Sequence, residues 1–213
     1  MVKCGIIDRK GSGSTRLILA SGSRGRQEVF DRACLNYEKY EKRASNISEV
    51  SGKTDPREYV MDLSKQKALY VSKFYKDGVI IGADSIAYIN GKKLEKPRSL
   101  EEARVMMREL SGKVNQAITG VTILDLYQHK TVIFSEVTDV YFDNLSEEEI
   151  DFYINNDKFI LERCGYSMNL GSLFIKRIDG DYNNVLGMPI NRLYRELVKL
   201  GYSPSDFKLK RYL

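Results

Sequence analysis

The chain has 213 residues, a length that suits one α/β domain or two small lobes that share a cleft. Its composition is 42% hydrophobic and 30% charged, with no apolar run near the roughly 20 residues of a membrane span, which excludes a membrane-spanning or wholly disordered protein. Its net charge of +5 suits a small anionic ligand and lacks the concentrated basicity of a dedicated nucleic-acid binder.

The cysteines and the single histidine bear on compartment and metal chemistry. Cys4, Cys34 and Cys164 are an odd number, widely spaced, with no CxxC pair and no secretory signal before them, so we expect a cytoplasmic protein. With His129 as the one histidine, a Cys/His zinc site has too few ligands. The spacing gives no support to a nucleophilic pair of Cys164 and His129, and an inert thiol is the expected state.

The first part of the chain predicts a strand, a polar loop and two helices. Residues 1–16 have no apolar period and predict a flexible extension before a single domain over 17–213. The apolar run 17–20 predicts a strand, and the polar loop 21–26 leads into a helix. A second helix is expected to begin at Asp55-Pro56, with Lys67 on a stripe of otherwise apolar residues that extends to Phe74.

A buried strand and a hairpin are predicted next. The apolar run 79–83 has strand length, and we expect it to end at the carboxylate of Asp84. Such a carboxylate is costly to desolvate, so Asp84 is a candidate metal ligand or base, with a cap or turn residue as the alternative. Asn90-Gly91 predicts a type I′ hairpin, and Lys96 follows its return strand.

Helices and strands alternate through the rest of the chain without a clean βαβ repeat. Two serines, each followed three residues later by a glutamate, predict capped helices at Ser99 and Ser146. Runs rich in β-branched and aromatic residues predict strands at 114–124, 131–142 and 173–178. An amphipathic helix is expected at 189–200. The fold class is therefore α/β, a mixed sheet flanked by helices, with any second lobe inserted near 119–142.

Phosphate-binding fingerprints are absent, but one loop remains a candidate anion site. The GKT of residues 52–54 lacks the upstream glycine of a P-loop, and Gly11 and Gly13 open no strand-to-helix turn. The loop 21–26 has hydroxyls and arginines at a helix start, which can bind phosphate, and a solvated capping loop is the alternative. Lys67 and Lys96 could neutralise phosphate charge, although most lysines are solvated amines.

Six segments, in chain order, resemble the motifs of the Maf-type nucleoside triphosphate pyrophosphatases, the septum formation inhibitor family. They are LILASGSRGR at 17–26, YVMDLSKQKA at 59–68, IIGADS at 80–85, LEKP at 94–97, LSG at 110–112 with TGV at 119–121, and IDGDYNNVLGMP at 178–189. The resemblance covers nearly the whole chain. It implies a fold similar to the inosine triphosphate pyrophosphatases, with two lobes around a cleft.

The resemblance also implies an activity and a set of site residues. The activity is hydrolysis of a nucleoside triphosphate to monophosphate and pyrophosphate with Mg²⁺ or Mn²⁺, by a cytoplasmic homodimer that acts on non-canonical or surplus nucleotides of the dTTP/UTP or m7GTP type. The residues that would hold the triphosphate are Ser21, Ser23 and Arg26. Lys67 and Lys96 would offset its charge, and Asp84 would bind metal or activate water. Neither a membrane nor a nucleic acid is an expected partner.

Several positions depart from the family pattern. Gly25 stands where an arginine is usual, Asn115 where a histidine is usual, and Asn169 or Leu170 where a glutamine is usual. Glu49 is the one counterpart of the family's acidic pair. An alternative of a different class is therefore a degenerate regulator of cell division that senses nucleotides or binds nucleic acid with little catalysis.

Overall fold

A computed structural model describes residues 15–40, 50–162, 164–203 and 206–207. The strands in these ranges are β1 (Leu17–Ala20), β2 (Glu38–Lys39), β3 (Val79–Ile89), β4 (Lys92–Lys93), β5 (Val114–Asp125), β6 (Lys130–Phe142) and β7 (Ile175–Asp179). The helices are α1 (Arg24–Arg32), α2 (Pro56–Ser72), α3 (Leu100–Leu110), α4 (Glu147–Asn156), a 3₁₀ turn (Ile160–Glu162), α5 (Met168–Gly171), α6 (Tyr182–Val185) and α7 (Ile190–Lys199). No helix in the described ranges is long and apolar enough to cross a membrane.

The predicted extension 1–16 falls mostly outside the described residues. Its last residue, Arg16, is tied to the domain, since its guanidinium donates hydrogen bonds to Glu38 and Asp77. The carbonyl of Arg16 also accepts a hydrogen bond from Val79 at the start of β3.

The strands form one mixed, seven-stranded sheet in the order β2-β1-β3-β5-β6-β7, with β4 paired to the end of β3. β1 runs parallel to β2 and β3, and the other neighbours are antiparallel. The predicted mixed sheet flanked by helices is confirmed. The predicted insertion near 119–142 is wrong, because β5 and β6 are inner strands of this sheet, each paired with a strand on both sides.

The central strand β3 is longer than the sequence predicted. It runs on to Ile89, so the predicted end at Asp84 is wrong, and Asp84 instead pairs with Gly120 in the middle of the ladder to β5. The strand continues because the polar pair Asp84-Ser85 is accommodated within the ladder to β5, and buried apolar residues follow from Ile86. The type I′ turn is confirmed at Asn90 and Gly91, whose φ angles are 52° and 77°.

Two apolar clusters lie at opposite ends of one sheet face, and helix α2 covers the other face. Side chains alternate along a strand, so Ala83 and Ala87 of β3 share a face. Ala83 packs in a cluster with α1 and α7, whereas Ala87 packs in a second cluster with α3 and α4. Ser85, between Ala83 and Ala87 on this face of β3, lies between the two clusters.

Helix α2 lies very close to the sheet. Two glycines permit this approach, because a Cβ at Gly82 would lie 2.3 Å from the carbonyl oxygen of Ser64, and a Cβ at Gly120 would lie 2.3 Å from the backbone of Val60. The helix begins as predicted, with the Asp55 carboxylate accepting from two backbone amides. Phe74, expected on its buried stripe, instead lies beyond the last helical residue and is 43% exposed.

Candidate active site in a notch of the sheet edge

One edge of β3 has no strand partner over a short stretch. β1 pairs with β3 from Val79 to Gly82, and β4 pairs with it at Tyr88 and Ile89. Between these two, no strand of the described chain pairs with residues 83–87 on this side. We call the edge of β3 at residues 83–87 the notch.

Adjacent residues of β3 present their side chains to opposite faces at the notch. Asp84 faces α2, where the ammonium Nζ of Lys67 donates to its Oδ1 at 2.5 Å. Ser85 faces α1, where its Oγ accepts from Nη2 of Arg26 at 2.9 Å. The backbone thus places a carboxylate and two cationic side chains from separate helices around two consecutive residues, with Asp84 and Lys67 each 7% exposed.

The guanidinium of Arg26 is fixed by three elements of the fold. Its Nε donates to the carbonyl of Gly187 at 3.0 Å, and its Nη1 donates to Ser21 Oγ at 2.8 Å, in addition to the bond to Ser85. A planar group held at three nitrogens has a defined orientation. Arg26 and Ser21 therefore meet, as the resemblance implied, at the side of the notch opposite Lys67.

The N-terminus of α1 has features that favour a bound anion. Ser23 is the N-cap residue, but its side chain makes no capping hydrogen bond, and its amide donates to Ser21 Oγ at 3.2 Å. The first turn contains no acidic residue. The partial positive charge of a helix N-terminus, together with these hydroxyls, favours a bound phosphate group.

Lys96 lies in the segment after β4. Leu94, two residues before it, donates its amide to the carbonyl of Ala87 at 2.8 Å, which holds this segment at the edge of β3. Burial raises the pKa of the nearby Cys164 thiol, the charge of Lys96 lowers it, and the charge of Asp84 raises it to a smaller extent. The side chain of Lys96 itself is exposed.

The described residues offer one carboxylate at the notch for a metal. They contain no group of three or more His, Cys, Asp or Glu side chains arranged to hold an ion. Mg²⁺ commonly binds one or two protein carboxylates and takes its remaining ligands from substrate phosphates and water. Asp84 together with a bound triphosphate fits that donor set. Glu49, the other carboxylate considered from the sequence, lies outside the described residues.

Comparison with known proteins identifies the family. The model of the family "Maf-like protein" matches residues 16–200. The chain belongs to the Maf family. Three similar proteins, each named dTTP/UTP pyrophosphatase, come from Carboxydothermus hydrogenoformans, Bacillus cereus strain AH187 and Pyrococcus abyssi. Their identities are 40%, 40% and 39%, over 88%, 85% and 88% of this chain and 100%, 94% and 97% of theirs. The predicted family and the predicted class of nucleoside triphosphate pyrophosphatase are confirmed.

The departure from the Maf pattern at Gly25 has a steric reason. A Cβ at this position would lie 2.7 Å from the carbonyl oxygen of Leu186, so the segment before α7 occupies the space of a side chain. The neighbouring Arg24 instead extends over the ring of Phe159, with 4.4 Å between the guanidinium carbon and the ring centroid. Phe159 precedes the 3₁₀ turn, so this contact joins α1 to the segment after α4.

The other departures lie in β5 and in helix α5. Asn115 is buried, and its side chain donates to the carbonyl of Val140 at 3.1 Å and accepts from the Tyr166 hydroxyl at 3.0 Å. In the segment that follows, Leu170 packs against the apolar cluster of α3 and α4, whereas Asn169 is exposed. Of the two residues considered for the glutamine position, Asn169 is the one on the surface.

Cys164 and His129 lie far apart. His129 is in the turn after Asp125, which pairs with Val79, whereas a Cβ on Gly165 would lie 3.2 Å from Ala87. Eight residues of β3 separate these two points, roughly 26 Å of strand. The expectation that they form no nucleophilic pair agrees with this separation.

Sequence reasoning missed four residues that surround Arg26. They are Ser85, Thr119, Asn184 and Gly187. Each lies inside a segment that resembles a family motif. For Ser85 and Thr119, a polar residue next to buried apolar positions of a strand was the available signal.

Proposed function

We propose that the chain hydrolyses dTTP and UTP to the nucleoside monophosphate and pyrophosphate, with Mg²⁺ or Mn²⁺, as a cytoplasmic homodimer. The observation that supports it best is the convergence of Lys67 and Arg26 on the adjacent residues Asp84 and Ser85 at the notch. The names of the similar proteins support the choice of dTTP and UTP over m7GTP.

The arrangement suits hydrolysis of a phosphoric anhydride. Phosphoryl transfer depends mainly on holding the triphosphate in line with the attacking water and on offsetting its charge. We assign the first task to Arg26, Ser21, Ser23 and the start of α1, and the second to Lys67 and Lys96. A divalent cation, when bound, supplies further charge neutralisation at the phosphate oxygens.

Asp84 has the most direct role in this proposal. Its carboxylate contacts Lys67 at 2.5 Å and is nearly buried, so it is held in place as an acceptor. It accepts a proton from a water molecule or helps to hold the cation. The water oxygen bonds to the α-phosphorus, the bond from that phosphorus to the bridging oxygen breaks, and pyrophosphate leaves with that oxygen.

Pyrophosphate release from a panel of triphosphates tests the proposal. The panel contains dTTP, UTP, the other canonical nucleotides and m7GTP, each measured with Mg²⁺, with Mn²⁺ and with excess chelator. We expect dTTP and UTP to give the highest kcat/KM and the chelator to abolish turnover. Retention of DNA or RNA at low salt without turnover of any nucleotide would favour the regulatory alternative.

A further inference from the structure

We propose that Ser85 and Thr119 are positioning residues, which fix Arg26 through a closed circuit of hydrogen bonds so that its guanidinium meets the polyphosphate in one orientation. This inference rests on the proposed function, because Arg26 is taken there to contact the triphosphate.

The circuit begins at one edge of the guanidinium. Arg26 Nη2 donates to Ser85 Oγ at 2.9 Å, and Ser85 Oγ lies 3.0 Å from Thr119 Oγ1 on the neighbouring strand β5. Thr119 Oγ1 lies 3.3 Å from the backbone carbonyl oxygen of Asn184 in α6. These links connect α1, β3, β5 and α6 through the inside of the molecule, where Thr119 is fully buried.

The direction of each bond follows from proton counting. A carbonyl oxygen only accepts, so Thr119 must donate its single hydroxyl proton to Asn184. Thr119 then accepts from Ser85, which must donate its own hydroxyl proton there. Ser85 Oγ is left as an acceptor, which is what Arg26 requires. Each group in the chain from Arg26 to Asn184 thus donates to the next one. Hydrogen bonds arranged in this way polarise and strengthen one another.

The circuit closes through the backbone between α6 and α7. The carbonyl of Asn184 also accepts from the amide of Gly187 at 2.8 Å, and the carbonyl of Gly187 accepts from Arg26 Nε at 3.0 Å. The side chain of Asn184 is anchored in turn, since its Nδ2 donates to Ala117 at 2.9 Å and to Thr138 Oγ1 at 3.0 Å. The Nε and Nη2 groups, which form one edge of the guanidinium, are therefore both connected to the segment 184–187.

A second buried hydroxyl pair provides a matched control. Thr122, three residues along β5, lies 2.8 Å from Ser64 Oγ of α2, and both threonines are at most 1% exposed. Loss of the Thr119 hydroxyl removes the bonds to Ser85 and to the Asn184 carbonyl, whereas loss of the Thr122 hydroxyl removes the bond to Ser64. Thr122→Val therefore controls for the loss of a buried threonine hydroxyl from the same strand, without the connection to Arg26.

The test measures UTP kinetics, affinity for inorganic tripolyphosphate by calorimetry, and thermal stability for four variants. We expect Thr119→Val and Ser85→Ala to raise KM and weaken tripolyphosphate binding, each about tenfold, with a smaller change in kcat. Thr122→Val should change neither by more than about twofold, while lowering stability as expected for the loss of a buried hydroxyl hydrogen bond. Ser85→Thr, which keeps the hydroxyl, should restore wild-type values.

The inference is overturned if Thr119→Val leaves KM and tripolyphosphate affinity at wild-type values, or if Thr122→Val changes them equally. The failure of this inference can be distinguished from the failure of the proposed function. If the wild-type protein turns over no nucleotide, but Thr119→Val and Ser85→Ala weaken its binding of tripolyphosphate, the hydrolytic role is refuted and the circuit is retained. If the wild-type protein hydrolyses UTP and these variants have no effect, the circuit is refuted and the hydrolytic role is retained.

Discussion

Two aspartates buried on the central sheet are held in different ways. Asp125, at the end of β5, is fully buried and accepts hydrogen bonds only from neutral donors. These donors are the amides of Tyr127 and Gln128, the side-chain Nε2 of Gln128 and the hydroxyl of Tyr202. Asp84, in the middle of β3, faces the ammonium of Lys67 at the notch.

The difference is the one expected between a structural carboxylate and the reactive carboxylate that we propose Asp84 to be. The four neutral donors around Asp125 use both carboxylate oxygens and tie the β5–β6 turn to the segment after α7, so no capacity remains for a ligand. Asp84 has a cationic partner beside a stretch of β3 that lacks a strand partner on one side. Because both aspartates are buried, it is their hydrogen-bond partners that favour Asp84 as the candidate for function.

The largest effect is expected from Asp84→Asn. Loss of the carboxylate removes the proton acceptor or metal ligand, so kcat for UTP should fall by about 10²–10⁴-fold. The measurement is steady-state pyrophosphate release on protein whose folded state is verified by circular dichroism. An Asp84→Asn protein with wild-type kcat would remove this residue from the mechanism.

Asp125→Asn should show the opposite behaviour. An amide presents its NH₂ group to donors that need an acceptor, which should cost about 1–3 kcal/mol of the free energy of unfolding. Urea denaturation measures that loss. KM and kcat below the unfolding transition should stay within about twofold of wild type. A large fall in kcat with unchanged stability would mean that the two aspartates do not differ as described.

A smaller effect is expected at the backbone contact that supports Arg26. Gly25→Ala places a methyl group against the Leu186 carbonyl and should cost roughly 1–2 kcal/mol of stability while raising KM, because Leu186 precedes the carbonyl that Arg26 binds. Gly22→Ala is the control, since nothing lies within 4 Å of its added Cβ. Equal thermal stability of these two variants would contradict the close contact at Gly25.

The smallest effect concerns Cys164, which reports on Lys96. Burial raises the pKa of this thiol above its ordinary value of 9.0, so its alkylation by iodoacetamide should be slow at pH 7–8 and should still accelerate above pH 9. Because the positive charge of Lys96 lowers this pKa, Lys96→Met should slow alkylation a few-fold at fixed pH. Peptide mass spectrometry measures the rate at this residue. Unchanged alkylation would place Lys96 away from the notch.

The raised pKa of Cys164 also makes the stability of the fold depend on pH. The folded state holds the Cys164 proton more tightly than the unfolded state, so it contributes stability below about pH 9. That contribution is lost as the pH rises through the folded pKa, which a denaturation series between pH 8 and 10.5 can follow by comparison with Cys164→Ser.

Local sequence signals predicted much of the fold because they act over a few residues. The Asn90-Gly91 turn, the cap at Asp55 and the long strands β5 and β6 follow from propensity and spacing. The length of β3 did not follow, because a polar Asp84-Ser85 pair inside a strand is tolerated only where tertiary partners meet it from both faces.

The sequence predicted only part of the site, because some of its contacts depend on the folded chain. Arg26 and Lys67 stand out as cations near apolar runs, and the family resemblance assigned them to one pocket. The circuit through Thr119 and Asn184 joins residues 65 positions apart and depends on the register of β3 against β5, which spacing along the chain does not contain. The collision at Gly25 likewise depends on the position of Leu186 in the folded chain.

The most direct test of the central claim is product analysis of UTP hydrolysis by phosphorus NMR, with wild-type and Asp84→Asn proteins compared on the same substrate. Attack at the α-phosphorus at the notch predicts UMP and pyrophosphate in equal amounts from the wild type, and unreacted UTP from the variant over the same period. Appearance of UDP and inorganic phosphate, or equal product from the variant, would contradict it.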